Sequence, residues 1–381
     1  MEYITIEECC DILDSRRIPI TASDRRSGPY PYYGANGIQD YVAEYIFDDE
    51  LVLLAEDGGN FGSKTRPIAY RVSGKCWVNN HAHVLKPMSN MDVNYLCYSL
   101  MFYDTEELVN GATRQKLTQA AMRKMLIPQR PIKEQEKIVS ELSQIQSIIS
   151  ARQRQLQKLD ELVKARFVEM FGTETELDKW HCETVSDVAD VCVGVVIKPT
   201  QYYANQGVPA FRSLNIGEMR VKDADWVYFT EEGHRKNQKS VVRKNDVLVV
   251  RSGAPGTACV ATEKYVGYNA VDIIIAHPDN NKVNSIFLAA FTNMPHGMNQ
   301  IRTKTGGAAQ QHFNVGGYKS MRLIMPPLEL QEQFAAFVEQ ANKSKDVIQK
   351  ALDEAQLLFD SLMQKYFGCS ERKEAMYENQ N

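Results

Sequence analysis

The sequence predicts an α+β/α/β chain of two tandem globular units of mixed sheet and short helices, each followed by a long helix. The first observation behind this is an internal repeat, because residues 131–172 align without a gap with residues 327–368 at a constant offset of 196. The second is that both copies end in Phe-Gly after a helical pattern. The third is the length of 381 residues, which favours two domains over one core.

Both repeated stretches have the start and stop signals of a helix. Pro131 and Pro327 suit the first helical turn, where the amide hydrogens have no partner within the helix. Gly172 and Gly368 suit the left-handed residue that commonly follows a helix. The sequence therefore predicts two helices of about 40 residues, each roughly 60 Å long.

Apolar side chains recur every three or four residues along both stretches. The first stripe comprises Ile138, Leu142, Ile145, Ile149, Leu156, Leu159, Val163 and Met170. The second comprises Phe334, Val338, Ala341, Ile348, Leu352, Ala355, Phe359, Leu362 and Tyr366. Such a stripe, interrupted once by Arg152 or Lys345, is typical of a coiled-coil seam. We expect the two helices to pair as an antiparallel coiled coil with an internal pseudo-two-fold repeat; the alternative is that each helix folds back on its own domain.

The two globular units show the same order of predicted elements. The first unit has an opening segment (Tyr3–Cys10), a buried strand (Glu50–Ala55), a strand ending at proline (Trp77–Pro87), a short helix (Val93–Phe102), a polar loop (Asn110–Leu117) and a strand (Met125–Pro128). The second unit repeats them at Trp180–Val191, Asn245–Val250, Gly267–Ile275, Ile286–Phe291, Gly306–Phe313 and Arg322–Pro327. The predicted division is a first domain (1–130), a central helix (131–172), a second domain (173–326), a C-terminal helix (327–368) and a disordered tail (369–381).

The composition indicates a globular protein of the cytoplasm. Apolar residues make up 44% and charged residues 24%, without an apolar run of 18 residues. We therefore expect neither a signal peptide nor a membrane span. The eight cysteines never form Cys-x-x-Cys, which predicts reduced thiols in place of a disulfide framework or a zinc site.

Charge is unevenly distributed along the chain. Residues 1–130 carry 14 basic and 17 acidic side chains, whereas residues 180–326 carry 16 and 12. The net charges are therefore −3 and +4, although the whole chain has a net charge of −4. The totals alone do not indicate nucleic-acid binding, but a local basic surface is compatible with the second unit.

The sequence shows no convincing catalytic or metal site. The loop Gly58–Thr65 resembles a phosphate loop, but Ser63 stands where glycine must precede Lys-Ser/Thr. Met325-Pro-Pro-Leu328 lacks the acid or amide and the aromatic residue of an amino-methyltransferase motif. His81 and His83 would share one face of a strand, but no third ligand accompanies them, so core or surface histidines are the better interpretation.

Binding is the remaining interpretation, because basic and amide side chains recur in equivalent loops of both units. The candidate DNA-contacting residues are Lys64, Arg66, Asn80, Arg114, Gln115 and Lys116 in the first unit, and Arg212, Arg251, Arg302, Lys304, Gln310, Gln311 and His312 in the second. Such side chains contact phosphates and base edges, with arginine suited to guanine and glutamine to adenine. Each residue taken singly also fits a solvated surface; the recurrence favours DNA.

The chain resembles the specificity (S) subunit of type I restriction–modification systems over about residues 1–368. The residues that carry the resemblance are Ile18-Pro19, Pro31–Ile38, Gly111–Gln115, Leu126–Pro128 with Pro131–Ile138, Pro326–Gln333 and the two Phe-Gly helix ends. The resemblance implies that each globular unit is a target recognition domain for one half of a bipartite DNA sequence. It also implies that the paired helices set the distance between half-sites and dock two adenine-methyltransferase subunits.

The same resemblance implies a non-catalytic chain. S-adenosylmethionine, ATP and Mg²⁺ are expected in partner subunits, which are two modification and two restriction subunits beside double-stranded DNA, without a membrane. The net-negative first unit departs from what phosphate binding favours, and the unlike loops Arg114–Lys116 and Gln310–His312 are consistent with two different half-sites. The alternatives are a coiled-coil interaction scaffold without DNA reading and a self-contained DNA methyltransferase or nuclease.

Overall fold

The computed structural model describes residues 2–111, 115–305 and 312–368. Its contacts divide the chain into two compact units, one formed by residues up to 153 together with those from 350 onward, and one formed by residues 154–349. The boundary therefore falls inside both long helices, whereas the sequence division places it at their ends. Each unit includes a globular part and one half of each long helix.

The first unit is built from ten strands within its described residues. The strands are β1 (Tyr3–Thr5), β2 (Cys10–Ile12), β3 (Ser27–Gly34), β4 (Gly37–Val42), β5 (Phe47–Ala55), β6 (Ala69–Val78), β7 (Ala82–Pro87), β8 (Val109–Asn110), β9 (Lys116–Leu117) and β10 (Leu126–Pro128). The helices are α1 (Ile6–Cys9), α2 (Val93–Met101), α3 (Gln119–Arg123) and the first long helix, α4 (Ile132–Phe171). Two 3-10 turns cover Asp14–Arg16 and Ala22–Asp24.

A six-stranded sheet in the order β2-β7-β5-β6-β3-β4 forms the centre of the first unit. The strand β5 lies between β7 and β6, antiparallel to both. Its residues Leu51–Ala55 are all fully buried, which explains why an unbroken apolar run forms a strand covered on both faces. The helix α2 packs on this sheet, and the Asp92 carboxylate accepts the amide hydrogens of its first turn.

The second unit repeats this plan with additional short strands. The strands are β11 (Cys182–Thr184), β12 (Ala189–Val193), β13 (Tyr203–Ala204), β14 (Val208–Phe211), β15 (Ile216–Gly217), β16 (Arg220–Val221), β17 (Val227–Phe229), β18 (Val247–Val250), β19 (Ala258–Val260), β20 (Asn269–Ala270), β21 (Ile273–Pro278) and β22 (Arg322–Ile324). The helices are α5 (Val185–Val188), α6 (Glu231–Lys236), α7 (Ser285–Asn293), α8 (Pro295–Thr305), α9 (Val315–Lys319) and the second long helix, α10 (Leu328–Phe367). The 3-10 turns are Glu174–Lys179, Pro199–Tyr202, Ser213–Asn215, Gln238–Ser240 and Glu263–Tyr265.

Four strands of the central sheet have the same order in both units, whereas the remaining strands are arranged differently. The order β12-β21-β18-β19 in the second unit reproduces β2-β7-β5-β6 in the first. In the first unit β6 continues far enough to pair with β3, so the sheet has six strands. In the second unit the equivalent parallel contact is made by β20, which forms a separate sheet in the order β13-β17-β14-β20. The four strands with the shared order are therefore the common part of the two units, and the strands beyond them differ.

Two predicted strands are each interrupted. The predicted strand Trp77–Pro87 is β6 followed by β7, because the chain turns at Asn79, whose side-chain oxygen accepts the amide hydrogen of His81 (2.8 Å). The predicted strand Gly267–Ile275 is likewise divided between β20 and β21. The helix α8 was not predicted, because its polar sequence lacks a clear apolar stripe.

The long helices have the predicted bounds, and each spans 40 residues. Gly172 takes the left-handed conformation with φ of +88°, and its amide hydrogen bonds to the carbonyl of Val168 (2.8 Å), as expected for a residue that ends a helix. Neither helix, nor any other among the described residues, is long and apolar enough to cross a membrane.

Within each unit, opposite ends of the two long helices lie side by side. In the first unit, Ile138, Leu142, Ile145 and Ile149 share a core with Phe359 and Phe367, and Tyr366 donates to Glu141 (2.6 Å). In the second unit, Val163 and Phe171 share a core with Phe334 and Val338, and Lys345 donates to Asp160 (2.5 Å). This order of contacts is that of antiparallel helices; their pairing as a coiled coil stays a prediction.

The predicted seam residues all face inward to some degree. Leu156, Leu159, Ile348, Leu352 and Leu362 are half-buried, and the other seam residues named above are buried or half-buried. The pattern overlooked Phe167, which is completely buried. It lies off the 4-3-4 spacing, at a point where α4 packs against the globular part of the second unit.

A buried glutamine anchors the beginning of each long helix. Gln135 accepts the amide hydrogen of Asp92 (2.8 Å) and donates to the carbonyls of Asn90 and Arg130. Gln331, 196 residues later, accepts the amide hydrogen of Asn284 (2.9 Å) and donates to the carbonyl of Pro326. Because buried amides must be fully hydrogen-bonded, the two glutamines specify how each helix leaves its globular unit.

Candidate nucleic-acid interface

In the first unit, the end of β5 meets the predicted polar loop. The amide of Leu117 donates to the carbonyl of Glu56 (2.7 Å), and Asp57 pairs with Lys116 as an isolated antiparallel bridge. The amide of Gly58 donates to the carbonyl of Gln115 (3.2 Å). The structure therefore brings Gln115 and Lys116 beside the glycine-rich turn.

A cluster of charged side chains lies beneath that junction. Arg17 contacts Glu56 (2.5 Å) and Asp14 (3.4 Å), and Lys116 contacts the other oxygen of Glu56 (3.1 Å). The ring of His83 is fully buried, with Nδ1 at 2.7 Å from Asp14 and Nε2 at 3.0 Å from the carbonyl of Leu117. Burial opposes ionisation of Asp14, but its hydrogen bond to His83 holds the pKa of the carboxyl below its ordinary value.

This cluster does not fit a metal site, although its ligand atoms converge. Asp14, Glu56 and His83 each place one such atom within 4.8 Å of the others. The guanidinium of Arg17 and the ammonium of Lys116 already supply the positive charge that two carboxylates require. His81 is separate and half-exposed, and it contacts Asp57 (2.6 Å).

The other predicted residues of the first unit are at the surface. Lys64, Arg66 and Asn80 are exposed, as are Gln115 and Lys116. Lys64 and Arg66 extend from the glycine-rich turn after β5, and Asn80 lies in the turn between β6 and β7. Arg114 lies outside the described residues. The surface thus combines two turns and the end of the polar loop.

The second unit builds the same junction with different side chains. The amide of Phe313 donates to the carbonyl of Arg251 (2.9 Å), and Ser252 pairs with His312 as an isolated bridge. The guanidinium of Arg251 is buried and donates to Asp272 (2.7 Å), to His312 Nε2 (2.5 Å) and to the carbonyl of Phe313 (3.2 Å). Arg251 therefore holds the junction together and does not extend freely from the surface.

The contacts of His312 indicate which of its ring nitrogens carries the hydrogen. Its Nε2 faces a guanidinium, which can only donate, so Nε2 accepts and Nδ1 carries the hydrogen that points at Ser252 Oγ (2.7 Å). Asp272, whose carboxylate accepts a hydrogen bond from the guanidinium of Arg251, has a left-handed backbone with φ of +49°. Such strain in a residue that is not glycine is typical of functional sites.

The remaining predicted residues of the second unit are dispersed. Arg302 and Lys304 are exposed on α8, although the sequence places them with the loop residues. Lys304 donates to the carbonyl of Gly317 (3.0 Å) and to Ser320 (2.7 Å), and partial burial lowers the pKa of its ammonium. Arg212 is half-buried and donates to the carbonyl of Asp225. Gln310 and Gln311 lie outside the described residues.

Sequence reasoning missed Arg17 and the acidic and hydroxyl members of both junctions. These are Asp14, Arg17 and Glu56 in the first unit and Ser252 and Asp272 in the second. The repeat could have identified Glu56, because it directly follows the buried central strand β5, as the predicted Arg251 directly follows β18. The shared backbone therefore carries an acidic side chain in one unit and a basic one in the other.

Comparisons with known proteins agree with this duplicated architecture. The family model described as the type I restriction modification DNA specificity domain matches residues 1–161 and 178–356. A Haemophilus influenzae protein named for a type I restriction enzyme specificity subunit is 26% identical, over 89% of this chain and 87% of that protein. A Methanocaldococcus jannaschii type I restriction enzyme specificity subunit is 20% identical, over 92% of this chain and 89% of that protein.

A solved structure agrees in fold. The S subunit of a type I restriction-modification system from M. genitalium aligns with a TM-score of 0.58 and 15% identity, over 96% of each chain. At that identity the likeness shows the fold alone. The two matches to the family model together cover most of the chain, and the chain therefore belongs to the type I restriction-modification DNA specificity family.

Proposed function

We propose that the two units read the two halves of a bipartite DNA target and that this chain is the sequence-specificity subunit of a type I restriction–modification complex. The observation that carries the proposal is the duplicated junction, in which one backbone arrangement presents Gln115 and Lys116 in the first unit and Ser252 and His312 in the second. Different polar side chains on the same frame would distinguish different bases.

The charges of the two units support unequal roles in phosphate binding. Residues 180–326 have a net charge of +4 and supply exposed Arg302 and Lys304, whereas residues 1–130 have a net charge of −3. The second unit would therefore contribute more of the salt-dependent affinity. The first would depend more on neighbouring basic surfaces of partner subunits.

The chemistry would reside in the partners. The sequence lacks an amino-methyltransferase motif, and Ser63 replaces a glycine that a phosphate loop requires. We propose two modification subunits, which hold S-adenosylmethionine and methylate adenine, and two restriction subunits, which use ATP and Mg²⁺. The complex would act on double-stranded DNA in the cytoplasm.

Methylome sequencing tests the proposal directly. Cells that express this chain with its partner subunits should methylate adenine in a split motif, and cells lacking only this chain should lose that methylation. Methylation of an unchanged motif in both strains would reject the specificity role. A scaffold without DNA reading is distinguished by titrating DNA into the purified complex at several salt concentrations, because phosphate contacts produce a steep negative slope of log K against log salt.

Exposed apolar side chains on the long helices support partner docking. In the first unit, Ile148, Leu357 and Leu358 are 49%, 71% and 50% exposed. Leu357 and Leu358 are neighbours on α10, and contiguous apolar patches commonly mark protein interfaces. We propose that this surface contacts a modification subunit.

Leu358→Glu should weaken binding of the modification subunit by at least about tenfold, because a buried carboxylate would have no partner. The measurement is the dissociation constant by isothermal titration of the modification subunit into the full chain. Gln356→Glu is the control, because it adds the same charge at an exposed position on the opposite side of α10, although it also replaces the hydrogen bond from Gln356 to Asp360 (2.8 Å). Equal effects of the two variants would place the interface elsewhere.

A further inference from the structure

A cysteine, a histidine and an aspartate lie in line in the second unit. The Sγ atom of Cys192 on β12 lies 3.7 Å from Nε2 of His277 on β21. The other ring nitrogen, Nδ1, lies 2.5 Å from the carboxylate of Asp246, which immediately precedes β18. A nucleophile beside an imidazole that a third group orients is the arrangement that activates side chains in many enzymes.

The fold explains this alignment. β12 and β21 are antiparallel, and Asp190 is the direct partner of His277. Cys192 is two residues further along β12, so its side chain lies on the same face as that of Asp190 and reaches the ring diagonally. Asp246 is almost completely buried and accepts the amide hydrogen of Arg243 (2.6 Å), which fixes the carboxylate that orients the ring.

The electrostatic surroundings favour a charged imidazole. The hydrogen bond that His277 Nδ1 donates to Asp246 is the main cause, and the contact with Cys192 the second, that raises the pKa of His277 to about 9. The Cys192 thiol donates to the backbone carbonyl of Lys239 (3.4 Å). Besides Asp246, the charged side chains near His277 are Asp190 on the paired strand and, along the same groove, Lys282 and Lys319. The sulfur thus lies beside an imidazolium at neutral pH, which is the microenvironment of reactive cysteines.

The histidine of this cluster borders an open groove, and its cysteine is partly exposed. His277 lines an open groove of about 440 Å³ together with Asp190, Lys282 and Lys319, and Cys192 itself is half-buried. By contrast, Cys76, Cys97 and Cys259 are buried, and burial raises the pKa of each of these thiols to about 12. Cys192 therefore differs from these three cysteines in being partly exposed and in having His277 as a neighbour.

The first unit shows that the shared fold does not require the cluster. The register of β2 with β7 places Leu13 and Lys86 where the second unit has Cys192 and His277. Lys86 there contacts Asp49 (2.6 Å) in an ordinary ion pair. The cluster is thus an addition to the second unit.

We propose that Cys192 is a thiol modification site that reacts with small disulfides and soft electrophiles, with His277 and Asp246 as positioning residues. In exchange with a disulfide, the thiol of Cys192 first loses its proton to water. The thiolate, beside the His277 imidazolium, then attacks one sulfur of the reagent and forms a mixed disulfide. The S–S bond of the reagent breaks, and the leaving thiolate takes the proton that His277 holds. One thiol and one disulfide are consumed, and one thiol and one disulfide are formed.

Site-resolved labelling tests this inference without DNA. The full chain is treated with 5,5′-dithiobis(2-nitrobenzoate) from pH 5.5 to 9, and rates are obtained for each cysteine by peptide mass spectrometry. At pH 6.5 Cys192 should react about tenfold faster in the folded chain than in 8 M urea, because unfolding removes the imidazolium. Cys182, also half-buried, is the internal control and should show no such gain.

His277→Asn should lower the rate at Cys192 about tenfold at pH 6.5 and leave Cys182 unchanged. The pH profile of the unaltered chain is an independent readout if that variant unfolds, since the reactivity of Cys192 should rise at a lower pH when the chain is folded than when it is in urea. Equal profiles in the folded and unfolded chain would overturn the proposal, as would labelling of Cys192 no faster than that of Cys182. Neither result depends on whether the chain reads DNA.

Discussion

Arg251→Met should abolish recognition of the half-site that the second unit reads and destabilise that unit by roughly 2–3 kcal/mol. The variant removes the three donors that hold Asp272, His312 and the carbonyl of Phe313. Hydrogen bonds to charged groups each contribute about 1.5–3 kcal/mol, and the partial exposure of Asp272 allows water to offset some of the loss. Urea unfolding measures the stability change, and methylome sequencing measures recognition.

Arg302→Met is the matched control for that variant. Arg302 is an exposed arginine on α8, so its replacement should change stability by less than about 0.5 kcal/mol and weaken DNA binding uniformly across sequences. The expected contrast is loss of one half-site in one variant and a smaller salt dependence in the other. If both variants behaved alike, the junction around Arg251 would have no special part in reading the target.

Phe167→Ala should destabilise the second unit by about 3–5 kcal/mol, the usual cost of removing a fully buried phenylalanine. The ring of Phe167 lies 5.0 Å from that of Phe171, 5.8 Å from Phe287 and 5.4 Å from Phe334. Its loss would leave a cavity between the end of α4, the globular part and the beginning of α10. Hydrogen exchange of amides in α7 should report the loss as faster opening of the second unit.

The neighbouring residue supplies the control for this prediction. Val168 is 38% exposed on the same helix turn, and Val168→Ala should change stability by less than about 1 kcal/mol. Both variants preserve the helical backbone, so only packing differs between them. A loss of under 1 kcal/mol for Phe167→Ala would show that this aromatic cluster does not join the long helices to the second unit.

The long helices were predictable almost to the residue. Pro131 and Gly172 mark the ends of the first helix, and the offset of 196 residues transfers the same bounds to the second. Such signals are local, since capping and helical periodicity depend on residues within a few turns. The same reasoning missed Phe167, because the packing that buries it comes from elements distant in sequence.

The interrupted strands show the limit of pattern reading. The stretch Trp77–Pro87 reads as one strand, but Asn79 makes a local turn and divides it into β6 and β7. Side-chain to backbone hydrogen bonds of this kind compete with sheet pairing, and hydrophobic periodicity does not register them. This interruption places the exposed Asn80 in a turn beside the candidate interface.

The sequence by itself determined the duplication, the two long helices and the order of elements, and it predicted loops that carry candidate DNA-contacting side chains. Only the tertiary structure decided that Arg251 is held among Asp272, His312 and Phe313, and that Glu56 takes the equivalent place in the first unit. A repeat is visible when the sequence is compared with itself, and a helix is visible in the spacing of residues a few positions apart. The partners of a buried charge cannot be read from such patterns. Arg251 and His312 are 61 residues apart in sequence, and they meet only because the polar loop pairs with the end of the central strand.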